Sequence, residues 1–186
     1  MEEPRPQALL VGLQLPQMSE GETRSSLEEL KRLVHTLGFD VVGMTTQKRS
    51  GTKAALVVGE GKLKELARWT GGTGVVASQV TRKKSKAAER FDEHDESQMH
   101  DEEPAQEEAE TEILESGPPE GVSASVIVFD HELSPSQLRN LQSATGVEVL
   151  DRTGVIIEIF SRHARTRAAR LQVEIARLKY LAPRIR

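Results

Sequence analysis

Cysteine is absent from this chain, aromatic side chains supply only 3% of its 186 residues, and no apolar run approaches the ~20 residues that a membrane-spanning helix needs. The first absence excludes disulfides and thiolate metal ligands and fits a reducing compartment. The second requires a core built from Val, Leu, Ile and Ala, for which an apolar content of 37% suffices. The opening MEEPRPQ lacks the basic-then-apolar order of a secretory signal. Together these features lead us to expect a soluble, cytoplasmic protein. The histidines (His35, His94, His100, His131 and His163) share no metal-ligand spacing, and no metal is expected.

A net charge of −4 averages two unlike parts. From Glu89 to Glu120 fourteen acids stand against one base, Arg90, a balance of −13 that leaves +9 on the remainder. A basic folded part favours anionic partners, with rRNA and nucleotide phosphates first among them.

Residues 1–7 form a polar lead expected to be disordered. Ala8 to Leu15 (ALLVGLQL) is a continuous apolar run, as in a strand covered on both faces. Ser25 or Ser26, with Glu28 or Glu29 three residues on, suits a capping box for a helix that presents Leu27, Leu30, Val34 and Leu37 and stops at Gly38. Strands are expected at Asp40 to Thr46 and Ala54 to Val58, with a helix after Gly59-Glu60-Gly61-Lys62 and a possible strand start at Val75 to Ala77. Residues 78–123 are basic, then acidic, with few aliphatics, and are expected to form a disordered insertion. Order resumes with Ala124 to Phe129. Ser134-Pro135-Ser136-Gln137 then opens a helix as N-cap, first helical residue and box partner, and Gly146 closes it before a strand at Val147 to Leu150. Strands alternating with ~11-residue helices give an α/β class: a small parallel sheet flanked by helices, residues 8–77 and 124–152, followed by a helical arm at residues 153–186.

Ligands of open parallel sheets gather at the carboxyl ends of the strands. There Gly59, Gly61 and Lys62 could offer backbone N–H groups and an ammonium to a phosphate, or could simply make a tight strand-to-helix turn with a solvated lysine. The turn is not a P-loop, because Leu56 and Leu63 stand where the motif needs a glycine and a hydroxyl. Asp130-His131 lacks a nucleophile at a telling spacing, so no catalytic residues are assigned. Asp151 or Thr153 suits a cap for a helix beginning at Val155, and Arg152 suits an ion pair with Asp130 or Asp151.

From Val155 helix-forming residues continue almost without interruption to Ala182. Between Ser161 and Arg186 eight bases face the single acid Glu174, a balance of +7. Arg162, Arg165, Arg167, Arg170, Arg177 and Lys179 are therefore candidate RNA-binding residues, contacting phosphate rather than bases in the absence of stacking aromatics. Ala164, Ala168, Leu171, Ile175, Leu178 and Ala182 fall at spacings of 4 and 3, a seam that calls for a partner helix.

Three stretches carry a resemblance. VGEGKLKEL (Val58 to Leu66), VFDHELSPSQLRNL (Val128 to Leu141) and VLDRTGVIIEIFSRHARTRAARLQVEIARLKYLAPR (Val149 to Arg184) closely resemble the N-terminal domain of the HflX family of ribosome-associated GTPases. The resemblance implies an α/β subdomain followed by an antiparallel helical hairpin, of which the arm here would be the first half. It also implies large-subunit rRNA as partner, a separate G domain carrying GTP and Mg, and a role in splitting and rescuing ribosomes. No P-loop or switch region lies in this sequence, so no cofactor is expected in these residues and GTP hydrolysis is not expected from them. Without its mate the seam would leave a monomer or a weakly self-associating chain. The alternatives are a stand-alone ATP- or GTP-binding α/β domain using Gly59, Gly61 and Lys62, or a helical protein-interaction module.

Overall fold

Four short aliphatic runs pair into one parallel sheet in the computed structural model, which describes residues 5–52, 54–76 and 118–185. The strands are β1 (Gln7–Gln14), β2 (Asp40–Lys48), β3 (Val126–Phe129) and β4 (Glu148–Asp151), in the order β2-β1-β3-β4. The helices are α1 (Glu20–Thr36), α2 (Glu60–Thr70), α3 (Pro135–Thr145), α4 (Arg152–His163) and α5 (Arg167–Leu181), and a short 3-10 turn follows at Ala182–Arg184. The expected class, a small parallel sheet flanked by helices with a helical arm behind it, is what the chain adopts.

β1 lies in the middle and is buried on both faces, as its unbroken apolar run requires. Its alternate residues serve two cores. Ala8 and Leu10, with Val126 and Val128 of β3, face Leu27, Leu30 and Val34 of α1 and Val155 of α4. Leu9, Val11 and Leu13, with Ile127 and Phe129, face Leu63, Leu66 and Trp69 of α2 and Leu138 and Leu141 of α3. The result is three layers, helices on both sides of the sheet, with all four strand ends that matter for ligands on one edge.

Several boundaries follow from local chemistry. The Ser134–Gln137 box forms as read from the sequence, with Gln137 N donating to Ser134 Oγ (3.3 Å) and Ser134 N to Gln137 Oε1 (2.9 Å). Gly146, at φ 71°, ends α3 in the left-handed conformation. β3 takes the sheet position expected of Ser125 to Phe129, paired to β1 and β4.

Other boundaries correct the sequence reading. α1 starts at Glu20, because Ser19 and Glu22 close the capping box nearly two turns before Ser25 and Ser26, which become helix interior. Ala54 to Val58 is not a strand. Two of its carbonyls are taken by side-chain amides of α3, Gln137 Nε2 donating to Ala54 O and, just upstream, to Thr52 O, and Asn140 Nδ2 to Ala55 O. Those bonds draw the start of the segment to α3 instead of into a ladder, while Val57 and Val58 still reach the core. Val75 and Val76 are not in a strand either, and Ala77 lies outside the described residues. So do most of the insertion, residues 78–117, and the first four residues of the lead.

Candidate functional site

The Gly59–Lys62 turn has the helix start that the sequence suggested, with Gly59 as N-cap of α2, but it commits the lysine inward. The Lys62 side chain is buried, its Nζ donates to Thr45 Oγ1 at 2.8 Å, and it pairs with Glu65 Oε2 at 2.6 Å. Gly59 N is likewise taken, by Gln47 Oε1 at 3.0 Å. The expectation of a solvated lysine is thereby corrected. Lys62 fastens α2 to β2, and its charge is neutralised by Glu65 rather than held out for a phosphate. A hollow of about 300 Å³ beside Lys64, Arg68 and Gly71 to Gly74 lies at the carboxyl end of α2, where the helix dipole disfavours an anion.

At the other side of the sheet edge Arg152 behaves as an ion-pairing residue. Its Nη1 donates to Asp130 Oδ1 (2.7 Å) and Ser26 Oγ (3.1 Å), and its Nη2 pairs with Glu29 Oε1 (2.7 Å). Burial works against the guanidinium charge, but the bonds to Asp130 and Glu29 outweigh it and hold the Arg152 pKa above its usual value. This triad ties α1 to the end of β3.

Asp151 is the hub of the edge. It is fully buried and accepts four bonds. Oδ1 receives Gly154 N (2.8 Å) and Tyr180 Oη (2.8 Å), and Oδ2 receives Leu133 N (3.2 Å) and Arg184 Nη2 (3.2 Å). Asp151 thus caps α4, which starts at Arg152, and Thr153 falls in the first turn instead of capping a helix at Val155. Arg184 also donates to Leu133 O (2.9 Å) and Tyr180 O (2.6 Å), and its guanidinium lies 3.7 Å from the Tyr180 ring centroid. Burial first, and then the Asp151 carboxylate, push the Tyr180 phenol well above its ordinary pKa. A Cβ on Gly154 would stand 2.8 Å from Tyr180 Oη, so only glycine lets the arm approach this closely. Sequence reasoning passed over Tyr180 and Arg184. The signal available to it was the lone tyrosine of the chain one helical turn before an Arg.

The helical stretch after β4 is divided. Ala164 is extended (φ −68°, ψ 104°), Thr166 caps α5 by accepting from Ala169 N at 3.1 Å, and α5 folds back along α4 so that Tyr180 returns to the start of α4. The face turned to α4 is Ala169, Val173 and Tyr180, each half-buried. The seam read from the sequence is the opposite face: Leu171, Ile175 and Leu178 are 57, 53 and 56% exposed. Two apolar stripes therefore run along α5, and its own chain covers the one with smaller residues.

The candidate RNA-binding residues fall into two groups. Arg162 is docked, donating to Leu37 O (2.8 Å) and Glu158 Oε1 (3.1 Å), and Arg170 Nε donates to Ala164 O (3.1 Å) across the break. Arg165, Arg167, Arg177 and Lys179 are exposed, with no ion pair among the described residues. No helix among the described residues is long and apolar enough to cross a membrane.

Known proteins resemble this arrangement. Residues 24–85 and 107–161 match the sequence model of the family described as GTP-binding GTPase N-terminal. The GTPase HflX of Gluconacetobacter diazotrophicus is 55% identical over 183 residues, covering 98% of this chain and 38% of that protein. The GTPase HflX of Escherichia coli is 31% identical over 179 residues, covering 96% of this chain and 30% of that protein. Among solved structures, a GTP-binding protein from the archaeon Sulfolobus solfataricus in complex with GDP superposes with a TM-score of 0.53 at 20% identity, over 98% of this chain and 38% of that one, which bears on the fold alone. The chain thus spans 38% and 30% of the two HflX relatives and 38% of the solved structure. A family match over most of its length, on a sheet edge and helical arm built as described, places this chain in the GTP-binding GTPase N-terminal family, as the amino-terminal domain of HflX-type GTPases.

Proposed function

We propose that this domain binds the large ribosomal subunit through rRNA, with α5 as the contact element and the α/β layers as its platform. The observation that carries the reading is the set of exposed cations along the arm, Arg165, Arg167, Arg177 and Lys179, which no carboxylate of the described residues neutralises. Such unneutralised cations meet a phosphate backbone without reading sequence. GTP hydrolysis with Mg, and the coupling of that hydrolysis to splitting and rescue of ribosomes, belong in this proposal to a G domain of the kind the relatives' names imply. The exposed stripe of Leu171, Ile175 and Leu178 then suits the second helix of a hairpin.

Co-sedimentation with purified large subunits at rising salt tests the reading. Four phosphate contacts give a slope near −0.9 per contact on logarithmic axes, so affinity should drop by roughly 100-fold between 50 and 200 mM salt. Absent or salt-insensitive co-sedimentation would sink it.

A further inference from the structure

Arm α5 is tied to the rest of the molecule in an uneven way. It has no fully buried residue, and a non-helical step at Ala164 to Thr166, carrying its own cap, separates it from α4. Its bonds to the α/β layers are gathered at the far end: Tyr180 Oη to Asp151, and Arg184 to Asp151 and Leu133 O. Asp151 meanwhile keeps two backbone donors of the layers themselves, Gly154 N and Leu133 N. The hub therefore stays half satisfied, and α4 stays capped, if the arm lets go.

We propose that Tyr180 and Arg184 are positioning residues: they plug into Asp151 and fix the angle of a helix hinged at Ala164 to Thr166, so that the exposed cations of α5 are held in one orientation relative to the α/β layers before a polyanion arrives. The proposal rests on the rRNA-binding reading for its purpose but not for its geometry. Neither residue is a phosphate contact in it. Arg184 has its guanidinium stacked on Tyr180 and bonded to Leu133 O and Asp151, with its side chain only 10% exposed. Holding a flexible element in its binding geometry removes the ordering cost from association, which gives affinity without adding contacts.

The cysteine-free chain permits a direct test. Spin labels at Ser143→Cys on α3 and Gln172→Cys on α5, both exposed positions, report the arm-to-layer distance by pulsed dipolar spectroscopy. The parent should give one narrow distribution. The double variant Tyr180→Phe/Arg184→Met should give one at least about twice as wide while the emission of Trp69, the only tryptophan, stays unchanged. Large subunits should bind that variant ~10-fold more weakly with the same salt slope, because the number of phosphate contacts is untouched. An unchanged distribution overturns the proposal, as does a red-shifted Trp69 emission, which would make the plug part of the core. A salt slope reduced by about one contact overturns it too, since Arg184 would then touch phosphate itself. Broadened distances in a chain that binds no ribosome support the hinge and remove the rRNA reading instead.

Discussion

Replacing Asp151 by Asn isolates the charge at the hub. Asn replaces one carboxylate oxygen by an N–H₂ group, so it can keep either the cap on α4 or the bond from Leu133 N, but not both. In one orientation the new amide N–H₂ faces Leu133 N and Arg184 Nη2, each 3.2 Å from Oδ2 in the parent; in the other it faces Gly154 N and Tyr180 Oη at 2.8 Å. Either way one backbone N–H, the buried Leu133 N or the part-buried Gly154 N, loses its acceptor, at a cost of about 1–3 kcal/mol, and the Arg184 guanidinium loses its counter-charge, at about 1.5–3 kcal/mol. The combined cost, about 2.5–6 kcal/mol, brackets the ~3–5 kcal/mol that one-sided removal of a buried ion pair costs elsewhere. It is a large share of the ~5–15 kcal/mol that holds a domain together. Urea unfolding followed by the emission of Trp69, which is 2% exposed, measures it. With a slope near 2 kcal/mol per molar urea, the midpoint should fall by roughly 2 M. A fall of less than about 0.5 M would mean that the four-bond description of Asp151 is energetically empty.

Tyr180 is the only tyrosine, so tyrosinate absorbance reports it alone. Its folded pKa is raised above the unfolded value near 10, so its contribution to stability is complete below pH ~10 and is lost as pH climbs beyond that. The folded chain should show little tyrosinate at pH ~10, and half-ionisation there would contradict the buried bond to Asp151. Leu171→Asp and Ile175→Asp act on side chains more than half exposed, and each should move unfolding stability by no more than ~0.5 kcal/mol. A larger loss in chemical denaturation would show that the outer stripe of α5 is already covered.

Much of the architecture was legible because it is local. Ser134 with Gln137, the left-handed Gly146 and the continuous apolar run of β1 each carry their structure within a few residues, and each formed as read. The misreadings share one cause, a competing partner at long range or a rival signal nearby. Ser19 competed with Ser25 for the same helix and won by pairing with Glu22. Ala54 to Val58 has a strand's composition, yet two of its carbonyls are claimed by Gln137 and Asn140 from more than eighty residues away. On α5 the heptad-like spacing of Leu171, Ile175 and Leu178 was real, but periodicity does not say which of two stripes the chain covers, and the smaller Ala169 and Val173 lie against α4. As for the site, the exposed cations were visible as composition, and Arg152 with Asp130 as a guess at complementary charge. The meeting of Asp151, Tyr180 and Arg184 was not, since the partners stand 29 and 33 residues apart and only the fold brings them together.

The strand order β2-β1-β3-β4 also sets a timetable for synthesis. β1 can pair with β2 as soon as α1 has emerged, but its other edge waits for β3, where Ser125 meets Gln7 across 118 residues. Closing so long a loop is thermodynamically mild, the forty-odd residues before Pro118 adding only roughly 0.4 kcal/mol. Kinetically the delay is long. At ~5–20 residues per second β1 spends roughly 6–24 s with the backbone N–H and C=O groups of one edge unpaired. For that interval β1 is an unpaired strand edge exposed to aggregation, and a chaperone that shields residues 8–13 would act before the arm has been made.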